Sequence, residues 1–229
     1  MDVNKKYLQL QEILSQMGSV VIAFSGGVDS TFLLKTAVDV LGKNAVGVVA
    51  TSSTYPDREL DEAKKLAGFI GAEIKIIKTE ELEVPGFKSN PPDRCYFCKK
   101  DLFKKIKDIA KELNYNFVAE GSNVDDLSDF RPGLRAIKEL GVRSPLKEAG
   151  FTKQEIRKIS KKIGLPTWNK PSYACLASRF PYGMEIDETK LKMVEKAENF
   201  LIEAGFKVCL LYTSPSPRDL STSRMPSSA

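Results

Sequence analysis

The amino-acid sequence predicts an α/β fold in which a parallel sheet carries helices on both faces. Three apolar runs, at 20–24, 45–50 and 73–78, have the length and the β-branched content of buried strands. Helical patterns separate these runs, one beginning at Thr31 and one at 57–70. Strands and helices that alternate in this way need crossover connections, which place successive strands parallel in one sheet.

The remaining elements follow from local signals. The Thr152/Glu155 pair is a capping box, and it predicts the start of a helix that ends at Gly164. Two long irregular stretches, at 79–94 and 165–183, are more typical of functional loops than of simple connections. The other predicted elements are a helix at 4–17, a basic helix that opens at Cys95, a short strand at 117–119 and a helix at 188–204.

Composition limits the classes of protein to which the chain can belong. Its 229 residues are 42% hydrophobic and 28% charged, which is ordinary for a protein with a packed core. No apolar run reaches the length of a membrane span and no signal peptide opens the chain, so we expect a cytoplasmic protein. The net charge of +5 neither requires nor excludes a nucleic-acid partner.

Residues 25–30, Ser-Gly-Gly-Val-Asp-Ser, join the first strand to the first crossover helix. Glycines let the backbone approach a ligand, and a helix N-terminus offers unpaired N–H groups to phosphate. Hydroxyl groups of Ser25 and Ser30 add donors, and Asp29 can hold Mg²⁺ on the phosphates. The alternative is a tight turn with no ligand. The loop lacks the Gly-Lys-Ser/Thr ending of a Walker loop, so transfer of a γ-phosphate is not expected.

These six residues resemble the PP-loop of the ATP pyrophosphatase superfamily. That resemblance implies a Rossmann-like domain that splits ATP between its α- and β-phosphates and activates a substrate as its adenylate. Thr51 and Gly121 follow predicted strands, where open α/β sheets bind ligands, although the loop at 120–126 could also be a capped turn. The predicted nucleotide-binding residues are Ala23, Ser25, Gly26, Gly27, Val28, Asp29, Ser30, Thr51 and Gly121.

Four cysteines and no histidine indicate metal or redox chemistry rather than disulfides in a cytoplasmic chain. With Cys209 set aside, Cys95, Cys98 and Cys175 remain. A zinc site needs a fourth ligand, and a redox pair at 95 and 98 leaves Cys175 unexplained. Three thiolates suit a 4Fe-4S cluster with one open iron that can bind sulfide. Three unrelated buried thiols remain the alternative.

Further motifs narrow the resemblance: Arg-Pro-Gly-Leu-Arg-Ala at 131–136, Gly-Val-Arg-Ser-Pro-Leu at 141–146, Leu-Pro-Thr-Trp at 165–168 and Ala-Cys-Leu-Ala-Ser-Arg at 174–179. Together with residues 25–30 and the Cys95/Cys98 pair, they resemble the LarE family of ATP-dependent sulfur transferases, which make the nickel-pincer nucleotide of lactate racemase. The resemblance runs from about residue 4 to residue 208.

The LarE resemblance implies a reaction. A carboxylate of pyridinium-3,5-biscarboxylic acid mononucleotide would be adenylated, and sulfur would then replace AMP to give a thiocarboxylic acid. In one branch of the family Cys175 would give up its own sulfur. Cys95 and Cys98 instead make this chain similar to the iron–sulfur branch. Cys175, Asp29 and Arg179 are the predicted catalytic residues; Arg179 would bind a substrate phosphate or carboxylate, or else form a structural ion pair.

The predicted domains are a PP-loop domain at 1–165 and the start of a truncated sulfur-transfer domain at 166–208. Residues 209–229 resemble a translated sequencing adapter and are rich in Ser, Pro and Thr, so we expect a disordered, non-native tail. The missing C-terminal part would normally supply phosphate-binding residues and subunit contacts, since full-length members are expected to be homo-oligomers.

Two other functions fit parts of the sequence. Some PP-loop enzymes that thiolate tRNA also hold a three-Cys 4Fe-4S cluster, and the lysines at 99–111 would then face the RNA backbone. The small net charge and the lack of an aromatic-basic platform argue against nucleic acid. A regulator that senses ATP or AMP without turnover is a third option, but it would leave the three cysteines without a purpose.

Overall fold

The computed structural model describes residues 2–128 and 132–206. Arg131, Cys209 and the predicted tail at 209–229 lie outside these residues. The helices of the described chain are α1 (Val3–Met17), α2 (Val28–Leu41), α3 (Asp57–Ile70), α4 (Arg94–Glu112), α5 (Gly133–Glu139), α6 (Pro145–Glu148), α7 (Lys153–Lys162) and α8 (Glu188–Glu203), and the strands are β1 (Val20–Ala23), β2 (Ala45–Thr51), β3 (Glu73–Lys78) and β4 (Phe117–Ala119).

The four strands form one parallel sheet in the order β3-β2-β1-β4, which confirms the predicted fold class. Val20 of β1 pairs with Ala45 of β2 on one side and with Phe117 of β4 on the other. The first strand therefore occupies the middle of the sheet. In an open sheet of this kind, ligands bind beyond the carboxyl ends of the central strands, and residues 25–30, the predicted phosphate loop, follow β1 directly.

Alternate residues of β1 point to two separate hydrophobic cores, as the period of two in a strand requires. Val20 and Ile22 belong to a large core with residues of α1, α2, α3 and α7. Val21 belongs to a second core with Phe103 and Ile106 of α4. Helices therefore cover both faces of the sheet, as predicted, and the central strand separates α2 from α4.

A third hydrophobic cluster lies away from the sheet. Phe87, from the irregular stretch before α4, packs with Leu176 and Phe180 and with Leu191 of α8. The cluster therefore joins the two long irregular stretches that the sequence singles out. Leu165, at the end of the predicted first domain, belongs to the large core. The domain boundary at 165 stays a prediction.

Most predicted elements are observed at or near their predicted bounds. The helix predicted at 57–70 is α3, and the capping box of Thr152 and Glu155 is present in full at the start of α7. Helix α2 begins at Val28, three residues before the predicted start at Thr31. Helices α5 and α6 were not predicted, because each is too short to show a period. No helix among residues 2–128 and 132–206 is long and apolar enough to cross a membrane.

Candidate active site

The phosphate loop is held in shape by its own hydroxyl groups. The Oγ atoms of Ser25 and Ser30 lie 3.1 Å apart, within hydrogen-bond distance. The backbone N–H of Ser25 donates to Ser30 Oγ, and Ser30 Oγ donates in turn to the carbonyl of Gly27. Because α2 begins at Val28, the unpaired N–H groups of its first turn lie in the loop itself. This is the arrangement in which helix N-termini bind phosphate.

Two glycines of the site are needed for close packing. Gly26 has φ of +68°, a conformation that favours glycine, and a Cβ there would lie 3.4 Å from Ala63 of α3. A Cβ on Gly121 would lie 3.1 Å from the backbone nitrogen of Ser30. Gly121 therefore lets the turn after β4 pack directly on the first turn of α2. This supports its position beside the nucleotide site, while its role as a nucleotide contact stays a prediction.

Asp29 has one carboxylate oxygen bound and one unused. Its Oδ2 accepts a hydrogen bond from Lys153 Nζ at 2.5 Å, and its Oδ1 is buried with no partner in the described residues. Burial raises the pKa of Asp29, the Lys153 ammonium opposes that effect, and the nearby charge of Asp126 adds to it. A buried oxygen without a hydrogen bond is unfavourable, so Oδ1 is suited to a ligand from outside the chain.

Lys153 reaches Asp29 because of the way α7 begins. Thr152 Oγ1 accepts from the backbone N–H of Glu155, and the Glu155 carboxylate accepts from the backbone N–H of Thr152. Asp125 fixes the same helix start by accepting a 2.8 Å hydrogen bond from the backbone N–H of Lys153. The sequence predicts the capping box but not the role of Lys153, which is the first residue of α7.

Two other predicted nucleotide-binding residues, Ala23 and Thr51, lie at the carboxyl ends of β1 and β2. Ala23 ends β1, and the Thr51 hydroxyl, at the end of β2, donates to the carbonyl of Ile77 in β3. Tyr55 was not predicted, yet its hydroxyl donates to the carbonyl of Ser25 at 3.1 Å. Burial, followed by the charges of Glu59 and Glu62, raises the pKa of Tyr55 and keeps it a donor. The roles of Ala23 and Thr51 stay predictions.

The three predicted cluster cysteines come from two distant parts of the sequence. Cys95 and Cys98 are half-buried in the first two turns of α4, and Cys175 is exposed at the start of the turn Leu176–Arg179. Burial, followed by the charge of Glu81, raises the pKa of Cys98 well above its usual range. Cys98 packs against the hydrophobic cluster that contains Leu176, the residue after Cys175, so the two cysteine segments adjoin. The thiols do not form a tight group of metal-binding side chains in the described residues.

Arg179, predicted to bind substrate, lies in the interior. It is 1% exposed, and its Nε donates to Glu198 Oε1 at 2.6 Å. Its Nη1 donates to Ser178 Oγ at 2.7 Å and approaches the carbonyl of Cys175 at 3.4 Å. This arrangement favours the alternative of a structural ion pair, through which Arg179 positions the Cys175 turn against α8. Its predicted catalytic role stays a prediction.

Comparison with known proteins identifies the family. A sequence profile of the NAD synthase family matches residues 3–90. The chain is 39% identical over 202 residues to the pyridinium-3,5-bisthiocarboxylic acid mononucleotide synthase of Lactiplantibacillus plantarum, and the match covers 88% of this chain and 73% of that enzyme. The chain belongs to the LarE family. The chain is also 45% identical over 204 residues to an uncharacterised protein of Synechocystis, and that match covers 89% of this chain and 76% of the Synechocystis protein.

A more distant relative of this LarE chain is one of the subunits of the glutamine-hydrolysing GMP synthase of Archaeoglobus fulgidus, 23% identical over 205 residues. The match covers 81% of the LarE chain and 65% of that relative. The match to the NAD synthase profile includes the phosphate loop at 25–30. The match to the Lactiplantibacillus enzyme, at 202 residues, is long enough to include the cysteine region as well.

The basic helix α4 of this LarE chain has most of its lysines paired within the protein. Lys105 pairs with Asp101 and Lys111 with Asp108. Lys100 bonds the hydroxyl of Tyr96, and Lys107 donates to the carbonyl of Leu140. Such pairs fit a solvated helix surface, which is the simpler interpretation of the lysines at 99–111.

Proposed function

We propose that the chain uses ATP to activate a carboxylate of pyridinium-3,5-biscarboxylic acid mononucleotide and converts it to a thiocarboxylic acid. The carboxylate oxygen would bond to the α-phosphorus of ATP, and pyrophosphate would leave. A sulfur anion would then bond to the acyl carbon, and AMP would leave. Membership of the LarE family supports this proposal, because the named relative is a synthase of the corresponding bisthiocarboxylic acid mononucleotide.

The observation that carries the first step is the buried Oδ1 of Asp29, which has no partner in the described residues and lies in the first turn of α2. A carboxylate oxygen so placed fits Mg²⁺, which binds proteins through one or two carboxylates and the phosphates of its substrate. When bound, Mg²⁺ supplies positive charge to the phosphate oxygens.

The chain's own groups would do the remaining work of the first step. The N–H groups at the start of α2 and the hydroxyls of Ser25 and Ser30 would bind and orient phosphate oxygens. Lys153 holds Asp29 Oδ2, so it opposes protonation of the carboxylate and fixes its direction. The Lys153 ammonium adds a second positive charge beside the phosphate site.

For the sulfur step we propose a 4Fe-4S cluster held by Cys95, Cys98 and Cys175. Cys98 packs against the hydrophobic cluster that contains Leu176, the residue after Cys175, so the segments that carry the three thiols adjoin. Three cysteine ligands are the donor set of a cluster that leaves one iron open. A cluster with three cysteine ligands supplies an iron that is open to sulfide. The competing mechanism, in which Cys175 gives up its own sulfur, needs neither Cys95 nor Cys98.

Product analysis tests adenylate formation. With ATP, Mg²⁺ and the pyridinium substrate, the protein should release pyrophosphate. The Asp29→Ala variant should lose at least a hundredfold in this rate, because the cation loses its carboxylate ligand. Asp39→Ala is the matched control, since Asp39 lies on the same helix and, among the residues the structure describes, pairs with Lys35 alone. Release of ADP and orthophosphate instead of pyrophosphate would contradict the proposal.

Iron analysis and intact mass test the sulfur source. Anaerobically purified protein should contain about four irons per chain, as a 4Fe-4S cluster requires. Replacing any one of Cys95, Cys98 or Cys175 by Ala should remove most of that iron. After turnover with sulfide the chain should keep its mass. Conversion of Cys175 to dehydroalanine, with one sulfur still transferred by the Cys95→Ala/Cys98→Ala double variant, would favour the sacrificial mechanism.

A further inference from the structure

The loop between β2 and α3 touches both parts of the candidate site. The hydroxyl of Tyr55 donates to the backbone carbonyl of Ser25, in the predicted phosphate loop, at 3.1 Å. The backbone carbonyl of Thr54 accepts a 3.1 Å hydrogen bond from the backbone N–H of Leu176, the residue after Cys175. Successive residues of this β2–α3 loop therefore contact the phosphate loop on one side and the Cys175 turn on the other.

The β2–α3 loop is fastened on the side of the cysteines by a buried carboxylate. Thr54 Oγ1 donates to Glu81 Oε2 at 3.1 Å, and the other oxygen of Glu81 accepts a 2.8 Å hydrogen bond from Thr79 Oγ1. Leu82, the next residue along the chain, packs against the third hydrophobic cluster, which contains Leu176. Thr54 and Leu176 are therefore held from the same side of the molecule. The Tyr55 hydrogen bond connects that side to the phosphate loop.

The chain beyond the Cys175 turn is held by a different residue. Asn90 is fully buried, and its side-chain nitrogen donates to the carbonyls of Phe180 and Pro181 at 3.2 and 2.7 Å. These hydrogen bonds fasten the end of the turn that lies away from Cys175. The β2–α3 loop binds the opposite end, next to Cys175 itself.

The phosphate loop has two ways of using its hydroxyl groups. Ser25 Oγ and Ser30 Oγ lie 3.1 Å apart, and Ser30 Oγ also donates to the carbonyl of Gly27. Under the proposed function the same hydroxyls would bind phosphate oxygens, so they would give up these bonds when ATP binds. The Ser25 carbonyl that accepts from Tyr55 belongs to the segment that changes. Coupling between sites requires an interaction of this kind, which differs between the free and the bound state.

Lys170 also reaches the phosphate loop, but its contact there is the weakest of those it makes. Its Nζ lies 3.4 Å from the carbonyl of Gly26, while it bonds Glu59 and Glu62 at 2.9 and 2.6 Å. A 3.4 Å approach is a poor hydrogen bond beside two short bonds to carboxylates. Tyr55 is therefore the more direct connection to the phosphate loop.

We propose that Tyr55 is a positioning residue that passes the binding of ATP at the phosphate loop on to the Cys175 turn. The inference rests on the proposed function, in which ATP activates the substrate at the first place and sulfur is delivered at the second. Phosphate would fix the Ser25 carbonyl, and Tyr55 would hold the β2–α3 loop against it. The Thr54 carbonyl would then bind the N–H of Leu176 more firmly, because a segment that is already ordered loses less entropy in making the bond.

Hydrogen exchange at the backbone N–H of Leu176 tests this inference, because that group donates to Thr54. In the full chain, saturating Mg-ATP without the pyridinium substrate should slow this exchange about fivefold or more, which is the lower end of ordinary coupling between two sites. Tyr55→Phe removes only the hydroxyl, so exchange at Leu176 should then be the same with and without ATP. Calorimetry establishes the ATP concentration that saturates each protein.

Tyr115→Phe is the matched control. The Tyr115 hydroxyl also donates to a backbone carbonyl, that of Lys43 at 2.7 Å, but it does so at the amino end of β2, across the sheet from the phosphate loop. This variant should keep the full effect of ATP on Leu176. The inference is wrong if ATP does not slow exchange at Leu176 in the wild type, a result that depends on no variant. It is also wrong if ATP slows that exchange equally in Tyr55→Phe.

The yield of thiocarboxylate for each pyrophosphate released is a second readout. In Tyr55→Phe this ratio should fall, because sulfur that is poorly placed leaves the acyl-adenylate to water, whose oxygen would bond to the acyl carbon as AMP leaves. In Tyr115→Phe the ratio should stay that of the wild type. A merely structural role of Tyr55 would lower both products together and leave the ratio unchanged, which would overturn the positioning role.

The two proposals fail separately. If exchange at Leu176 responds to ATP through Tyr55 but no pyrophosphate is released with ATP and the pyridinium substrate, then the proposed reaction is wrong and the coupling stands. If pyrophosphate and thiocarboxylate are formed but exchange at Leu176 does not depend on Tyr55, the reaction stands and the coupling is wrong.

Discussion

At the scale of single residues, the proposed metal contact of Asp29 depends on Lys153. One carboxylate oxygen accepts a hydrogen bond from Lys153, and the other is buried with no partner in the described residues. Burial raises the pKa of Asp29, while Lys153 acts in the opposite direction. Because only the ionised carboxylate binds a cation well, Lys153 sets the pH above which the site is ready.

The first prediction concerns this pH dependence. Acid should suppress pyrophosphate release at a higher pH than an unperturbed aspartate would, because the raised pKa of Asp29 means that its carboxylate is protonated earlier on acidification. Lys153→Met removes the opposing charge, so the fall in the rate of pyrophosphate release on acidification should begin at a higher pH still. The measurement is the rate of pyrophosphate release against pH for both proteins.

Lys162→Met is the control for this prediction, since Lys162 lies on the same helix and its side chain donates to Asn4, away from Asp29. In this variant the rate of pyrophosphate release should fall at the same pH as in the wild type. If the pH of that fall were also unchanged in Lys153→Met, Asp29 would not be the group whose ionisation limits the reaction.

At the scale of elements, the turn after β4 determines where α2 can start. Gly121 lies against the backbone of Asp29 and Ser30, so the two segments touch without any side chain between them. Backbone groups cannot move aside as a flexible side chain can. The geometry of the phosphate loop is therefore set in part by a residue almost a hundred positions later in the chain.

The second prediction follows from that contact. Gly121→Ala should displace the first turn of α2, because its Cβ would lie 3.1 Å from the Ser30 nitrogen. We expect weaker ATP binding, measured by calorimetry, and a melting temperature lower by several degrees, which corresponds to about 1–3 kcal/mol of overpacking.

Gly68→Ala provides the matched substitution. Gly68 lies inside α3 with nothing within 4 Å of its added Cβ, so the change should leave ATP binding intact. It should stabilise the protein by about 0.5–1 kcal/mol through helix propensity. Similar losses in both variants would mean that the Gly121 contact has no special role.

The elements that the sequence predicts are those whose signals are local. The strands, α3 and the capping box of α7 were predicted because each depends on a local pattern of a few residues. Lys153 was missed, because what makes it important is its contact with Asp29, a partner from a distant segment. Its sequence neighbour, the capping box, was the signal that pointed toward it. The burial of Arg179 against Glu198 was equally beyond a local pattern.

At the scale of the whole molecule, two separate hydrophobic clusters hold the two parts of the candidate site. The phosphate loop is held by the large core through Phe32 and Leu33 of α2. The Cys175 turn is held by the smaller cluster of Phe87, Leu176 and Leu191. Because the two supports contain different residues, each can be weakened with limited effect on the other.

The third prediction uses this division. Leu191→Ala should loosen the smaller cluster and raise the rate at which a thiol reagent labels Cys98, which packs against that cluster, with ATP binding retained. Leu33→Ala removes a fully buried side chain from the large core and should lower global stability by about 2–5 kcal/mol. Labelling rates and urea unfolding measure the two effects. If Cys98 were labelled at the same rate in Leu191→Ala as in the wild type, the cluster would not control access to this cysteine.

The hydrogen bonds of Asn90 have a consequence for how the protein matures. They connect segments 90 and 91 positions apart, and a contact of that separation closes a long loop. Because closing a long loop costs entropy, these hydrogen bonds are expected to form late in folding. Asn90 therefore ties the segment that follows Cys175 to the segment that precedes Cys95 only after the long stretch of chain between them has been made.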